Sequence, residues 1–273
     1  MMTSDALTET EVASIVEFTE AAAYADLLRA APAAWQCVAE QTAAGWFLLA
    51  PPLDFLLFNR VIGCGLSAPA RQSDVAALVN RYRTAALRNY GVQLSPLARP
   101  TDLTHWLREA GLVVRDNWTK VYRAAKAPAA VTTDLRVEAI GLEHATTYAT
   151  ITCAAYGMPA ALQPWIASIV GRPQWHHYLA WDGLEPVAAA ALFVLGEVGW
   201  LGIAGTLPAE RRRGAQGALM ARRLLDGITQ GCRWFVTETG QDLPERPNPS
   251  FHNMLRMGFT VAYQRPNVMP SQV

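Results

Sequence analysis

Two stretches of the chain repeat one plan, and that duplication limits the folds open to it. The first runs Arg60-Val-Ile-Gly-Cys-Gly65, then a helix ending at Arg83, a strand from Tyr90 to Ser95, and Trp106-Leu-Arg-Glu-Ala-Gly111. The second runs Trp200-Leu-Gly-Ile-Ala-Gly205, then a helix containing Arg222 and Arg223, a strand from Trp234, and Met254-Leu-Arg-Met-Gly258. A strand–helix–strand–helix unit buries its apolar faces only against neighbours, so two copies imply two packed units in one chain. Apolar residues, at 51%, can supply both cores. The small-residue segment Ala124–Thr133, with Pro128, reads as the linker. The expected domains are 1–126 and 131–273.

Periodicity in the first half suggests helices near 10–30 and 30–43, strands near 45–50 and 54–64, a helix at 71–89, a strand at 90–95, a short helix at 101–110 and a strand at 117–123. The second half reads as a strand at 134–139, helices at 143–156 and 160–170, and strands at 176–181, 186–195 and 198–206. A helix at 214–230, a strand at 233–238, a helix at 249–257 and a strand at 259–265 follow. Asp182-Gly183 and Gly196-Glu197 are turn signals that make the three middle strands an antiparallel meander. The expected class is α+β, with each domain a mixed, mostly antiparallel twisted sheet flanked by helices.

Charge removes several partners. Only 17% of residues are charged and the net charge is zero, which gives no basic face for nucleic acid. The longest stretch without Asp, Glu, Lys or Arg, Ala145–Gly171, is broken by Gly157-Met158-Pro159 and Gln163-Pro164, so it reads as two short helices and not a membrane span. Asp5, Glu9 and Glu11 leave no basic region for a signal peptide. Cys37, Cys64, Cys153 and Cys232 are isolated, and His176 and His177 point to opposite faces of a strand. No metal site is expected, and the thiols suit a reducing cytoplasm.

The two copies differ at the strand-to-helix turn. The second reads Arg211-Arg212-Arg213-Gly214-Ala215-Gln216-Gly217 at the start of an amphipathic helix. Main-chain N–H groups there, with the positive end of the helix dipole, form an anion site, and Gly214 and Gly217 remove the Cβ atoms that would block a phosphate. The three arginines suit a pyrophosphate; the competing reading is a solvated basic turn. In the first copy Arg71-Gln-Ser-Asp74 has no glycine and sets a carboxylate where a phosphate would sit. One working site is therefore expected, in the second half. Gly205 inside a strand marks a bulge or a close backbone approach.

Element order and the Arg/Gly turn together resemble the GCN5-related N-acetyltransferases, whose acetyl-CoA motif is Gln/Arg-x-x-Gly-x-Gly/Ala. Arg211 and Gly214 match its first two fixed positions, and Gln216 departs from the third. The resemblance covers about 134–265, and the internal repeat makes 45–123 a degenerate second copy, expected to serve as scaffold and as one wall of an acceptor cleft. It implies that Ala204, Gly205 and Thr206 hold the pantetheine arm and thioester carbonyl of acetyl-CoA, and that Arg211, Arg212, Arg213, Gly214, Ala215, Gln216 and Gly217 hold the pyrophosphate. It also implies a cofactor contact from Asn248, which reads independently as a helix cap.

The implied reaction is acetyl transfer to a primary amine of a small molecule or peptide. Glu238, at the end of the strand from Trp234, is the candidate base; Glu197, in a tight turn, is the weaker one. The family's usual acidic Tyr is Met254 here, which leaves Tyr263, Tyr156 or water to return the proton. Tyr156, Met158 and Trp165 fall in the region that shapes the acceptor pocket in the family. Two alternatives stay open: a non-catalytic acyl-CoA-binding sensor or partner protein, and transfer of a longer acyl group. Two similar halves in one chain favour a monomer over a dimer.

Overall fold

The computed structural model describes residues 6–271; the part of the leader argument that uses Asp5 lies outside them. Two compact units are present. The first holds the chain up to Lys120 together with Thr239–Gln241 and the stretch from Val261 onward, and the second holds Val121–Glu238 and Asp242–Thr260. The division thus falls just before the linker expected from composition, and the end of the chain joins the first unit.

The first unit begins with helix α1 (Glu9–Arg29), started by a capping box in which the Thr8 hydroxyl accepts from the Glu11 N–H and the Glu11 carboxylate accepts from the Thr8 N–H. Strands β1 (Val38–Thr42) and β2 (Gly45–Leu49) form a hairpin, followed by β3 (Arg60–Ile62), helix α2 (Gln72–Thr84), β4 (Gly91–Gln93), helix α3 (Leu103–Glu109) and β5 (Leu112–Ala124), which runs on into the second unit. The last strand, β11 (Thr260–Pro270), lies between β4 and β5 and pairs antiparallel with β4 through Asn267–Gln93 and Val268–Val92. The helix expected at 30–43 is absent: Pro32 opens a single 3₁₀ turn, and Val38–Thr42 pairs with β2 instead.

Charge, not only hydrocarbon, fills the space beneath α1. Glu17, Glu20, Arg60, Lys120 and Arg265 are all fully buried. Glu20 receives Lys120 Nζ at 2.8 Å, Arg265 Nη1 at 2.6 Å and Arg60 Nη1 at 2.9 Å, and Arg265 Nη1 also reaches Glu17 at 2.8 Å. Burial alone would raise the Glu20 carboxyl, but Arg265, Lys120 and Arg60 outweigh it and hold its pKa well below the usual range. The Arg60 guanidinium stacks over Tyr24 at 4.3 Å.

The second unit is a sheet ordered β5-β10-β9-β8-β7-β6, made of the end of β5 with β6 (Arg136–Ile140), β7 (Trp175–Asp182), β8 (Glu185–Leu195), β9 (Val198–Thr206) and β10 (Trp234–Gly240). Strands β7 to β9 form the expected antiparallel meander, whose turns set Gly183 and Gly196 at φ +57°, and β6 pairs antiparallel with β7. Helices α4 (Ala145–Tyr156) and α5 (Gln163–Ala167) precede β7, α6 (Ala215–Thr229) lies between β9 and β10, and α7 (Pro249–Arg256) follows β10. Adjacent β7 residues show that both faces are covered. His177 packs edge-on against Tyr148 of α4, whereas Tyr178 lies under Arg222 of α6. Val187–Phe193 of β8 are accordingly all buried. Among the described residues no helix is long and apolar enough to cross a membrane.

Glu20 supplies the first test. Replacing it by Gln leaves three buried cations facing one carboxylate, a loss of about 3–5 kcal/mol expected for breaking a buried pair. Because its pKa is depressed in the folded chain, its contribution is present above the ordinary carboxylate pKa and drains away as pH falls through the folded value. Denaturant titrations of Glu20→Gln should show that loss at neutral pH and a flatter acid dependence. Equal stability of the two proteins at pH 7 would contradict the arrangement.

Candidate functional site

Strand β9 bulges near its end. It pairs with β8 through Ala191–Gly202 and again through Ala189–Gly205, so Ile203 and Ala204 stand opposite Ala190 alone. This bulge holds Ile203 at φ +45°, an unfavourable conformation for a β-branched residue. On its other side β9 pairs with β10 in parallel through Val198–Trp234, Gly199–Phe235 and Trp200–Val236. Beyond that point the Thr237 hydroxyl donates to the Leu201 carbonyl at 2.6 Å, a side chain standing where a ladder bond would continue. Gly205 must be glycine, because an added Cβ would lie 2.5 Å from the Ala155 Cβ of α4. Gly202 is constrained in the same way by the Trp200 ring stacked over it.

The turn after β9 exposes main-chain donors. Arg212 and Gly214 have φ of +68° and +84°, and Gly214 caps α6 without any side-chain acceptor. The N–H groups of residues 212–217 meet no protein acceptor among the described residues; the first bond of the helix runs from Ala218 N–H to the Gly214 carbonyl at 3.0 Å. A cavity of about 940 Å³ lies against them, lined among others by Val131, Thr132, Tyr156, Gly205, Arg212 and Asn253. The linker expected from composition thus forms a wall of this cavity. The Thr133 hydroxyl donates to the Arg213 carbonyl at 2.7 Å, and a Cβ on Gly214 would sit 3.1 Å from the Thr132 carbonyl.

Of the three arginines, Arg211 and Arg212 line the cavity. Arg213 does not: its guanidinium bonds Asp134 and Asp182 at 2.6 Å each and Glu210 at 2.7 Å, a network that anchors the turn. Gln216 at the departing motif position faces α7, where it donates to Ser250 Oγ at 2.6 Å and accepts from Asn253 Nδ2 at 2.5 Å. Its side chain therefore ties two helices together, and the main-chain donors of the turn stay open. Asn248 caps α7 by accepting from the Ser250 and Phe251 N–H groups, and the asparagine that lines the cavity is Asn253.

Tyr156 lies where α4 meets the bulge. The residue is 49% exposed, and its hydroxyl donates to the Ala204 carbonyl at 3.1 Å. Burial of that end raises the phenol pKa, and the charge of Glu238 adds to the rise. Glu238 is half-buried and accepts from Trp200 Nε1 at 3.0 Å. Tyr263 occupies a different setting. It belongs to the first unit, where its hydroxyl donates to Glu17 at 2.8 Å within the buried ion cluster. Trp165 is a core residue at 2% exposure, and Met158 follows the C-cap of α4, its N–H donating to the Cys153 carbonyl. Among the described residues no group of three His, Cys, Asp or Glu is placed to hold a metal.

Sequence reasoning passed over Trp200 as the partner of Glu238, over Asn253, and over Arg223. The last had a signal, a charged residue on the stripe of α6 that packs against the sheet.

Neither a family model nor a curated protein sequence matches the chain. Solved structures do match. A GCN5-related N-acetyltransferase from Kribbella flavida aligns over 95% of this chain and 96% of its own, at 17% identity and TM-score 0.66. One from Sphaerobacter thermophilus aligns over 72% and 64% of the two chains, at 18% identity and TM-score 0.56. A tandem protein of the same kind from the clavulanic acid biosynthesis pathway aligns over 78% and 76%, at 15% identity and TM-score 0.54. The architecture of this chain is thus that of the GCN5-related N-acetyltransferase fold, which a tandem protein also carries.

Proposed function

We propose that the chain is an acyl-CoA-dependent N-acyltransferase that transfers an acetyl group to a primary amine of a small molecule or peptide, with its site in the second unit. One observation carries the reading: a run of main-chain N–H groups at residues 212–217 that lack protein acceptors, in a turn whose residues other than Arg213 line a cavity that reaches Ala204–Thr206 at the β9 bulge. An uncapped helix start beside two glycines and two cavity-lining arginines fits a pyrophosphate. The residues that hold it are Arg211, Arg212, Gly214, Ala215, Gln216 and Gly217, with Ser250 and Asn253 of α7 alongside. The extended main chain of Ala204–Thr206 suits the pantetheine arm. An acyl-CoA thioester brought there supplies an activated acyl group to a neutral amine.

The protein's own groups then divide the proton work. Glu238, aimed by Trp200, takes a proton from the incoming amine directly or through water. As the C–N bond forms and the thioester C–S bond breaks, Tyr156 Oη, whose pKa is raised by burial and by Glu238 and which stays protonated at neutral pH, gives its proton to the departing thiolate. It takes the role left open by Met254. Tyr263, bonded to Glu17, contributes to the stability of the first unit. Main-chain donors at the bulge face the developing negative charge, a role that needs no reorganisation during reaction.

Two variants test the reading. Gly214→Val forces a β-branched residue into left-handed backbone and brings its Cβ against Thr132, so calorimetry should show coenzyme A affinity at least about tenfold weaker, with far-UV circular dichroism unchanged. Undiminished affinity would remove the loop as the phosphate site. Tyr156→Phe, assayed by free-thiol release across a panel of amines, should lower kcat about 100-fold with coenzyme A affinity intact, whereas Tyr263→Phe should lower Tm and leave kcat alone. The opposite pattern would return the proton role to Tyr263.

A further inference from the structure

Helix α6 turns Ala215, Leu219, Met220, Leu224 and Gly227 toward the sheet, and among them stands Arg223 at 2% exposure. The approach is close, since a Cβ on Gly227 would lie 2.4 Å from the Phe235 ring. Arg223 Nε donates to the Leu219 carbonyl one turn back at 3.1 Å. Its Nη1 reaches into the sheet, donating to the Ala191 carbonyl at 2.9 Å and touching the Gly202 carbonyl at 3.5 Å. Ala191 and Gly202 are the paired residues immediately before the β9 bulge.

Burying a cation costs several kcal/mol unless an opposite charge offsets it, and an apolar side chain of similar length would pack here without that cost. The bonds of Arg223 all go to main-chain carbonyls, and the ionisable groups that bear most on it are the phenols Tyr178, Tyr148 and Tyr156. Burial lowers its pKa to about 10, which leaves it charged at neutral pH. A full positive charge thus sits directly behind the bulge, on the helix whose first turn carries the open N–H groups. One rigid element therefore links the phosphate end of the site to its acyl end.

Resting on the acyltransferase reading, we propose that Arg223 is a positioning residue for acyl transfer: it pins the Ala191 and Gly202 carbonyls, fixes the strained Ile203–Gly205 main chain that receives the reacting carbonyl, and places an unneutralised charge behind it. A misplacement of about 1 Å at a reacting centre can reduce rate about 100-fold, so the loss should appear in kcat.

The experiment compares wild type with Arg223→Met and Arg223→Lys by kcat, acceptor KM, coenzyme A affinity from calorimetry, and Tm. The proposal requires Arg223→Met to bind coenzyme A within about 3-fold of wild type while kcat falls about 30-fold or more. Arg223→Lys, which keeps the charge but only part of the donor fork, should recover at least about tenfold of that loss. Wild-type kcat in Arg223→Met, coenzyme A affinity lost in step with kcat, or a Lys variant no faster than Met would each overturn it. If Arg223→Met does not fold, Arg223→Lys decides alone: lowered kcat at unchanged coenzyme A affinity supports the assignment, and wild-type kcat or a parallel loss of affinity overturns it. Wild-type protein that releases no thiol with any amine overturns the acyltransferase reading itself, a result separable from turnover that survives in Arg223→Met.

Discussion

Main-chain donors without acceptors are costly to keep, and the start of α6 keeps several of them together. The backbone bends to do so. Arg212 and Gly214 adopt left-handed conformations, Gly214 caps the helix without lending a side chain, and Arg213 is tethered by three carboxylates. Every neighbouring choice follows from keeping those donors open. Gly217 sits against Val131, Gln216 turns sideways to α7, and the linker packs close enough to wall the cavity without reaching the N–H groups.

At the end of β9 that leads into this turn, the same logic applies to carbonyls. A bulge frees polar main-chain groups, and the chain answers with specific partners: Tyr156 on Ala204, Thr237 on Leu201, and Arg223 on Ala191 and Gly202. Strain at Ile203 persists because these contacts over-determine the conformation. The open N–H turn and the bulge thus lie on one continuous segment, β9–turn–α6, with Arg223 of α6 bonded to the carbonyls beside the bulge.

Much of this was legible in residue order. The meander followed from Asp182-Gly183 and Gly196-Glu197, and α6 from the spacing of Gly217, Met220, Leu224 and Ile228. Gly205 announced a close approach, which the Ala155 Cβ of α4 explains. The missed parts depend on tertiary partners. Val38–Thr42 carries no strong strand pattern and becomes one because β2 offers a register, Val38 opposite Leu49. Tyr263 looked available for proton return, yet its partner Glu17 lies 246 residues earlier, beyond any local signal. Arg223 falls on the buried stripe of α6, but its partners, the Ala191 and Gly202 carbonyls, come into view only with the bulge.

Amide resonances of residues 212–217 provide the most direct test. In a ¹H–¹⁵N titration with coenzyme A, the account predicts that these amides shift first and furthest, and that their hydrogen exchange slows once acceptors arrive. Saturating coenzyme A that leaves them unmoved, or that perturbs only residues elsewhere in the chain, would contradict it.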